Sequence, residues 1–544
     1  METGLFDVPT LSYQLIIEKD MKTLNMDQPT TPETLIHATS NHPKKVGIIG
    51  AGVSGLVTAK TMREHGFEVV LFEKEAELGG VWISNRRYPN VTTQNTRDTY
   101  TFSDFPMPKH FPEWPTGEQV QQYLMSYARE FMILPYIQFS TKVELAEPIE
   151  DGKRGWLLHI SQNGNLTNVT VDFLVVCNGV FSEPNMPQIQ GRDVFKGQVL
   201  HSTQFRQEHL DAAKTQKVAV VGFAKSAHDI LSQVSNVSEK PVCIYREAKW
   251  KMPRIFLGLN FKYLLLHRFG ESLFPYRFLY GIHKFLHGPM GKPVTDLLVK
   301  GIGKAVAAQL KLKKSGLLPD KPFDSIANCS IGLTSDNFYE RAANGEIQLE
   351  KGEISRYVAD GVVLTNGKKI TADTFVFATG FRQTVPFFDR TISYKLRNTK
   401  GWFQLYRNVL PTDVPNLSFV GYNPSLFTPF TSELAAHYSA QYFKGQLNVP
   451  SAEGMKKEIA QHQAWLAKRA PHGHSSGTCI IPFSFHHADE LMRDMGLNTR
   501  RTRNPIKEFM APFNPGMYKG LTQELQTLPS VKTPAKSGEP LVEA

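Results

Sequence analysis

The sequence has little cysteine and no long apolar run. Its 544 residues include only four cysteines, Cys177, Cys243, Cys329 and Cys479, and no Cys-x-x-Cys pair. This scarcity excludes a disulfide scaffold, argues against a structural zinc site and is typical of a reducing compartment. No stretch approaches the roughly 18 apolar residues of a membrane-spanning helix. The N-terminus lacks the basic and apolar regions of a secretory signal. The sequence predicts an intracellular protein, cytoplasmic or peripherally associated with a membrane.

Acidic residues are scarce in one region of a chain that is otherwise near neutral. The formal charge is +10, and the segment from Arg246 to Lys314 holds 14 lysines and arginines against 3 acidic residues. Aromatic and aliphatic residues alternate with these bases, which favours a packed helical insert over residues 251–320 with a solvated basic face. Peripheral contact with a membrane through residues 251–290 is the alternative. Nucleic acid binding is disfavoured because no nucleic-acid fold signature accompanies the patch.

The first strong pattern is a strand, a glycine-rich turn, a helix and a second strand within about 30 residues, which predicts a βαβ unit in a parallel sheet. The turn is Gly50-Ala51-Gly52-Val53-Ser54-Gly55. Its glycines allow a tight turn, close approach of a pyrophosphate and close packing of helix on strand, while the helix N-terminus offers N–H groups to phosphate. Glu73 follows Gly50 by 23 residues and can accept hydrogen bonds from ribose hydroxyls. This unit predicts a dinucleotide site.

A second βαβ unit opens at Gly222-Phe223-Ala224-Lys225-Ser226-Ala227, where alanine replaces two glycines of the pattern. A positive φ at Ala224 would be strained. Arg246 follows Gly222 by 24 residues, almost the offset of Glu73 from Gly50. A guanidinium there can bind a 2′-phosphate, and Lys225 can add charge near the phosphates. Equivalent positions of opposite sign predict NADP(H) at the second unit, and two dinucleotides in one chain predict an NADPH-dependent flavoprotein.

Several ordered motifs are similar to those of one family. Residues 195–205, FKGQVLHSTQF, match the F-x-G-x-x-x-H-x-x-x-F signature of the flavin-containing monooxygenases and lie between the two dinucleotide motifs, as in that family. Further matching pieces run in family order: Gly79-Gly80-Val81-Trp82, Phe102-Ser103-Asp104-Phe105-Pro106, Ser226-Ala227-His228-Asp229 and Phe377-Ala378-Thr379-Gly380-Phe381. The chain therefore resembles this family from about residue 46 to residue 421.

The resemblance implies an α/β fold with two Rossmann-like domains, in which a smaller NADPH domain interrupts the FAD domain. The expected boundaries are an N-terminal extension at 1–45, FAD-domain parts at 46–213 and 331–450, the NADPH domain with its helical basic insert at 214–330, and a C-terminal extension at 451–544 whose last fifteen or so residues are disordered. The implied FAD contacts are residues 50–55, Glu73, Gly80, Val81, Trp82, Val143, Thr379 and Gly380. The implied NADPH contacts are Gly222, Lys225, Ser226, Ala227, His228, Asp229 and Arg246.

The resemblance also implies the reaction. NADPH reduces the flavin, and a C4a-hydroperoxyflavin then transfers one oxygen atom of O₂ to a nitrogen or sulfur nucleophile of a small organic substrate. Many family members place an asparagine eight residues before the Phe-Ser-Asp motif, where this chain has Gln94 beside Asn95. Either amide can donate a hydrogen bond to the oxidant, and which one serves stays open. For His201, a structural role in the linker is favoured over a role as general base.

Other functions remain open at this stage. A Baeyer–Villiger enzyme acting on a ketone would end its signature in tryptophan, where this chain has Phe205, although Gly79-Gly80-x-Trp82 and Tyr88-Pro89 are similar to that group. An NADPH-dependent flavin reductase or oxidase and a non-catalytic membrane-surface protein are further alternatives. A metal site is disfavoured because His472, His474, His486, His487 and Cys479 form no known ligand spacing. Homo-oligomerisation stays undetermined.

Overall fold

The computed structural model describes residues 43–529, except 280, 330, 331, 336, 424 and 470–482. Nearly all of the N-terminal extension and the tail that was expected to be disordered, residues 530–544, lie outside the described residues, as do His472, His474 and Cys479. The strands of the described residues, in chain order, are β1 (Lys45–Ile49), β2 (Glu68–Phe72), β3 (Ile137–Gln138), β4 (Thr141–Pro148), β5 (Trp156–Gln162), β6 (Asn165–Val171), β7 (Phe173–Val176), β8 (Glu183–Pro184), β9 (Gln198–His201), β10 (Val218–Val221), β11 (Val242–Tyr245), β12 (Ile255–Phe256), β13 (Leu259–Asn260), β14 (Gln348–Lys351), β15 (Ile354–Val358), β16 (Gly361–Leu364), β17 (Lys369–Thr371), β18 (Thr374–Phe377), β19 (Phe381–Arg382), β20 (Leu405–Tyr406), β21 (Leu410–Pro411) and β22 (Leu417–Phe419).

The helices, again in chain order, are α1 (Val53–Glu64), α2 (Gly117–Glu130), α3 (Gln207–Ala212), α4 (Lys225–Val234), α5 (Lys262–Leu265), α6 (Arg268–Ser272), α7 (Gly281–Leu286), α8 (Lys292–Gln309), α9 (Ile326–Cys329), α10 (Phe338–Ala343), α11 (Arg390–Leu396), α12 (Thr428–Phe443), α13 (Ala452–Arg469), α14 (Ser484–Asp494), α15 (Pro505–Met510) and α16 (Leu521–Thr527).

The first sheet contains the first glycine turn. Its five strands run parallel in the order β22-β7-β1-β2-β3. Strands β1 and β2 are the apolar runs KVGII and EVVLF. Such near-continuous apolar sequences are typical of parallel strands that are covered on both faces. Antiparallel strands β4–β6 pack on one face, and the largely buried helices α1 and α12 lie in the core on the other. The predicted parallel βαβ unit is confirmed.

The second sheet is also five-stranded and parallel, in the order β14-β11-β10-β18-β9. The predicted α/β class with two Rossmann-like domains is therefore confirmed. The expected domain boundaries at 214 and 330 stay a prediction, but the sheet also contains β9, which precedes that interval, and β14 and β18, which follow it. Only β10 and β11 of this sheet lie within it. The chain order of apolar runs does not reveal which sheet a late strand joins, since pairing is decided by neighbours in space.

The basic insert is helical, as expected, and it packs against the C-terminal extension. Arg268 on α6 donates to Asp489 on α14 at 2.7 Å and to Glu508 on α15 at 3.0 Å. Arg277 pairs with Glu490 at 2.6 Å. Among the helices within residues 43–529 that the structure describes, none is long and apolar enough to cross a membrane. The C-terminal extension thus closes over the insert through buried ion pairs.

Candidate functional site

The first glycine turn has the shape that a dinucleotide requires. Gly50 adopts φ +104°, a left-handed conformation that favours glycine. Gly52 precedes α1 as its N-cap, and a Cβ built on Gly52 would lie 3.4 Å from the Cα of Gly80. A Cβ on Gly55 would lie 1.7 Å from the carbonyl oxygen of Gly50. The three glycines therefore leave a backbone cradle at the N-terminus of α1, which fits the pyrophosphate of FAD.

Glu73 closes this cradle at the end of β2. Its carboxylate is buried and accepts hydrogen bonds from the backbone N–H of Ala51 at 2.7 Å and of Glu75 at 3.0 Å. Burial raises the pKa of Glu73, and the two N–H groups partly offset that rise. The carboxylate therefore lies beside the turn, where ribose hydroxyls of FAD would meet it.

The remaining residues of the first predicted set differ in their surroundings. Val53 is partly buried, and Ser54 is buried with its hydroxyl 3.0 Å from that of Ser432. Val81 is exposed, and Trp82 donates from Nε1 to the hydroxyl of Tyr100 at 3.3 Å. Of these four residues, Val81 is the most accessible and Ser54 is held in the interior by its contact with Ser432.

Two members of the first set have mainly structural surroundings. Val143 on β4 has a side chain in the core beneath the first sheet. Thr379 donates from Oγ1 to the carbonyl of Asn185 at 2.5 Å.

His201 donates from Nε2 to the carbonyl of Gly380 at 3.0 Å, while its Nδ1 accepts from the N–H of Thr203 at 3.3 Å. Burial lowers the pKa of His201, so the neutral imidazole joins β9 to the end of β18, in agreement with the structural role expected for it.

The second glycine turn has a backbone conformation similar to that of the first, although alanine replaces two of its glycines. Gly222 adopts φ +138°, and a Cβ there would lie 2.5 Å from the carbonyl oxygen of Ala378. Ala224, the N-cap of α4, has φ −105°, close to the extended conformation of Gly52. The strain that a positive φ would cause at Ala224 is therefore absent. Alanine is compatible with a functional turn here, because only the first position needs the left-handed conformation.

The residues at the start of α4 divide between two environments. Lys225 forms an ion pair with Asp229, one turn along the helix, and Asp229 also accepts from the hydroxyl of Tyr88 at 2.8 Å. His228, in contrast, is fully buried and stacks on Phe338 with ring centroids 3.8 Å apart. Its imidazole packs between α4 and α10. This position differs from the coenzyme contact that the resemblance implied for His228.

Ser226 and Ala227 complete the start of α4. Ser226 is partly buried, whereas Ala227 is fully buried in the large apolar core.

Arg246 follows β11 at the carboxyl edge of the second sheet. Its side chain is 81% exposed, and Nη1 lies 3.9 Å from a carboxylate oxygen of Glu353. Glu73, at the matching position of the first sheet, is buried. The residues at these two matching positions therefore differ in accessibility as well as in charge. An exposed guanidinium fits the 2′-phosphate of NADPH.

Residues 88–94 run along the contact between the two domains, and we name this segment the seam. Besides the Tyr88 hydroxyl on Asp229, the side chain of Asn90 lies 3.4 Å from that of Gln233. Arg254 donates to the hydroxyl of Thr92 at 2.5 Å. At the end of the seam, the backbone N–H of Leu333 donates to Oε1 of Gln94 at 3.1 Å. The seam thus joins the first domain to α4 and to the segment after α9.

The predicted amides lie beside a mainly apolar cavity. Gln94 accepts from Leu333, and Asn95 is buried and donates to the carbonyl of Leu426 at 2.6 Å. Leu333 and Leu426 both line the cavity, together with Leu266, Phe274, Phe427 and Phe485. The cavity is thus built from the insert, the C-terminal extension and the two loops that the amides contact.

One buried network was not identified from the sequence. Ser103 donates to Glu433 from its backbone N–H at 2.9 Å and from its hydroxyl at 2.5 Å, and Lys60 pairs with Asp104 at 2.5 Å. Burial raises the pKa of Glu433 to about 7, and the nearby Asp104 adds to this rise. The Phe-Ser-Asp motif therefore connects α1 to α12. Glu433 lies on a helix without a regular charge pattern, so its sequence carried no signal for this contact.

The candidate metal residues that the structure describes have other roles. His486 bonds through Nδ1 to Glu271, whose carboxylate also accepts from the backbone N–H groups of Phe485 and His486 at 3.0 and 2.9 Å. Burial lowers the pKa of His487 to about 4. These contacts fix the first turn of α14 against the insert.

Comparison with known proteins identifies the family of the chain. Residues 43–495 match the family model described as flavin-binding monooxygenase-like. The chain is 31% identical over 535 residues to the probable flavin-containing monooxygenase 1 of Arabidopsis thaliana, covering 88% of this chain and 98% of that protein. Its fold is similar to that of S-allyl-L-cysteine S-oxygenase from Allium sativum (TM-score 0.58, 20% identity, 89% and 93% of the two chains). It is also similar to NADP⁺-bound cyclohexanone monooxygenase from Rhodococcus sp. Phi1 (TM-score 0.61, 18% identity, 83% and 97%). The chain therefore belongs to the flavin-binding monooxygenase-like family and is a flavoprotein oxidoreductase whose cofactors are FAD and NADPH.

Proposed function

We propose that the protein uses NADPH and O₂ to transfer one oxygen atom to a nitrogen or sulfur nucleophile of a small, largely apolar substrate. The observation that carries this proposal is the apolar cavity beside Gln94 and Asn95. An apolar cavity with few polar groups is the usual form of a small-molecule site. The Allium sativum neighbour, named as an S-oxygenase of S-allyl-L-cysteine, supports a soft nucleophile as the substrate class.

The two glycine turns divide the work of binding. FAD, when reduced by NADPH, supplies the activation of dioxygen and the transfer of one oxygen atom. Residues 50–55 hold the FAD pyrophosphate, and Glu73 accepts from its ribose. Lys225 and Arg246 bind the phosphates of NADPH by charge-assisted hydrogen bonds.

Gln94 is the amide that faces the oxygenation site in this proposal. Asn95 donates from Nδ2 to Leu426, whereas Gln94 uses its carbonyl oxygen toward Leu333 and keeps the NH₂ group as a donor. The surrounding apolar side chains exclude water, which would otherwise compete for the oxidant. Replacing Gln94 by alanine is expected to raise the hydrogen peroxide released per NADPH consumed, whereas an unchanged ratio would remove Gln94 from this role.

The reaction class is tested with the purified FAD-bound protein. The flavin is reduced without oxygen by NADPH or by NADH, and oxygen is then admitted with a tertiary amine, a thioether or a ketone. We expect an N-oxide or S-oxide as product. An ester from the ketone alone would favour Baeyer–Villiger oxygenation, and hydrogen peroxide without any oxygenated product would favour a flavin oxidase.

Arg246 tests the coenzyme assignment in the same assay. A hydrogen bond to a charged group contributes about 1.5–3 kcal/mol, and the exposed position of Arg246 favours the lower end, so Arg246→Ala should reduce the preference for NADPH over NADH roughly tenfold. Glu353→Gln serves as the control, because it removes the neighbouring acid and keeps the guanidinium. An unaltered preference in Arg246→Ala would contradict the assignment.

A membrane contact through the insert is a second part of the proposal. Large apolar side chains on α7, α8 and their connection are at least 43% exposed: Ile282, Phe285, Met290, Val294, Leu297 and Leu298. The α8 members recur at helical spacing on one face. Exposed Lys284, Lys300 and Lys304 accompany this surface, which is the charge that an anionic bilayer attracts.

Vesicle flotation tests this contact. The full chain should bind vesicles of phosphatidylcholine with phosphatidylserine more than vesicles of phosphatidylcholine alone. Phe285→Ser with Leu297→Ser should abolish binding, while Tyr394→Ser, at a residue that is 79% exposed on α11, should not. Equal binding by all three proteins, or none by the parent, would contradict the contact.

A further inference from the structure

The apolar cavity beside Gln94 has one ionisable side chain in its wall. Among the described residues that line it, only Glu271 on α6 can carry a charge, and the one other polar side chain is that of Ser484. The hydroxyl of Ser484 already bonds that of Ser425 at 2.6 Å. Glu271 is 3% exposed, so bulk water does not screen its carboxylate. A charged group of a ligand in this cavity would therefore meet a single, buried acid.

Glu271 lies where the insert contacts the first turn of α14. Its Oε2 accepts from the backbone N–H of Phe485 at 3.0 Å. Its Oε1 accepts from the backbone N–H of His486 at 2.9 Å and also bonds Nδ1 of the same residue. Phe485 and Ser484 line the cavity as well. The carboxylate is thus fixed at the part of the wall that α6 and α14 share.

These contacts leave the carboxylate of Glu271 able to accept a further hydrogen bond. An ionised carboxylate offers about four acceptor positions. Its contacts with the described residues use three, two on Oε1 and one on Oε2. A ligand N–H can therefore bond at Oε2. In apolar surroundings such a charge-assisted bond is stronger than it would be in water.

Gln94 contacts the cavity through a different segment. Its Oε1 accepts from the N–H of Leu333, and a Cβ built on Gly332 would lie 3.0 Å from the same oxygen. Gly332 and Leu333 line the cavity and follow α9, whereas Glu271 belongs to α6. The amide assigned to the oxygenation site and the carboxylate are therefore carried by separate elements around one cavity.

We propose that Glu271 is a specificity-determining residue, which binds an ammonium group of the substrate while a separate nitrogen or sulfur atom is oxygenated. The inference rests on the function proposed above and narrows the substrate to small molecules that carry both groups. A protonated amine has no lone pair to receive oxygen, so the atom bound at Glu271 is not the atom oxygenated. An ammonium group that enters an apolar cavity loses its hydration, and pairing with a buried carboxylate compensates for that loss.

The experiment compares two thioethers of nearly the same shape by isothermal titration calorimetry on the FAD-bound full-length protein. Methylthiopropylamine ends in an ammonium group, which stays protonated near neutral pH as a lysine side chain does. Butyl methyl sulfide has a methyl group in its place. Without NADPH neither compound is oxygenated. In Glu271→Gln the affinity for the amine relative to that for the sulfide should fall about tenfold, the effect of losing one charge-assisted hydrogen bond.

Glu508→Gln is the matched control. Glu508 lies on α15, outside the cavity lining, and accepts from Nε of Arg268 at 3.0 Å. Its replacement also removes a carboxylate from the contact between the insert and the C-terminal extension, and the ratio of the two affinities should stay that of the parent. If Glu271 served only to hold α14, Glu271→Gln would weaken both thioethers equally, and the unchanged ratio would overturn the proposal.

The unaltered protein provides a second test if Glu271→Gln does not fold. Methylthiopropanoate carries an anion in place of the ammonium group, and it should bind at least about tenfold more weakly than methylthiopropylamine. Equal affinities, or the reverse order, would overturn the role of Glu271.

Addition of NADPH and O₂ tests the proposed function separately. Sulfoxide formed from the thioethers without any preference for the ammonium compound in binding would contradict the role of Glu271 alone. Preferential binding of the ammonium compound without any sulfoxide would contradict the proposed oxygenation and would still support the ammonium site.

Discussion

The two glycine turns have the same backbone path but differ in how closely their helices are packed. Gly50 and Gly222 both need a positive φ, and Gly52 and Ala224 both have an extended one. The third position differs, because glycine is required at residue 55, whereas the second turn accepts alanine at residue 227. The first helix thus lies closer to its turn. Each glycine of the motif meets a separate structural requirement. Glycine is obligatory only at the positions where the local packing imposes that requirement.

The strongest test of this comparison is Gly55→Ala. Its Cβ would overlap the carbonyl oxygen of Gly50 at 1.7 Å, so the turn must move. Overpacking typically costs about 1–3 kcal/mol and occasionally more, and we expect the upper end because the obstacle is backbone. Thermal unfolding and the ratio of flavin to protein absorbance measure the effect. The reciprocal change Ala227→Gly should cost no more than about 1 kcal/mol, and equal losses in the two variants would contradict the difference in packing.

Gly52→Ala should separate folding from cofactor binding. The new Cβ would be 3.4 Å from the Cα of Gly80, an ordinary contact, and the residue already has φ −83°. The protein should therefore fold with little change in melting temperature, yet lose most of its FAD because the methyl group occupies the approach of the pyrophosphate. Dialysis followed by flavin quantification checks this expectation. Full retention of FAD would place the pyrophosphate elsewhere.

The stability of the protein as a function of pH should test the buried contact that joins α1, the helix after the first turn, to α12. The helix α1 is joined to α12 through the network of Ser103, Asp104 and Glu433, and burial raises the pKa of Glu433 to about 7. A carboxyl group whose pKa is higher in the folded state favours folding when protonated, so its contribution is lost as pH rises from about 4.5 to about 7. Denaturant unfolding of Glu433→Gln should show a smaller fall in stability over this interval than the parent. An identical slope would show that Glu433 does not titrate there.

The smallest effect is expected at Ala224→Gly. Because Ala224 already has φ −105°, glycine relieves no strain and only increases the freedom of the unfolded chain. The free energy of unfolding should fall by about 0.4–1 kcal/mol, with NADP⁺ affinity unchanged. Tighter binding of NADP⁺ would mean that the alanine methyl group obstructs the pyrophosphate.

The sequence predicted local features better than the connections between distant ones. Both turns, their helices and the ends of β2 and β11 follow from glycine spacing and apolar periodicity, which act within about 30 residues. The sequence did not reveal which sheet β18 joins, because its apolar residues Phe-Val-Phe fit a buried strand of any parallel sheet. The position of His228 was also missed, since its neighbour Phe338 is far away in the sequence. Glu271 carried no local signal, because its partners Phe485 and His486 lie 214 and 215 residues further along the chain.

The mixed origin of the second sheet has a consequence for dissecting the protein. A fragment of residues 214–330 would contain β10 and β11 but lack β9, β14 and β18. Its edges would present unpaired, apolar strands to water, which favours aggregation over autonomous folding. Exchange of coenzyme modules between relatives therefore needs two crossover points that enclose everything from β9 to β18, because the smallest transferable piece is set by strand pairing and not by the span between motifs.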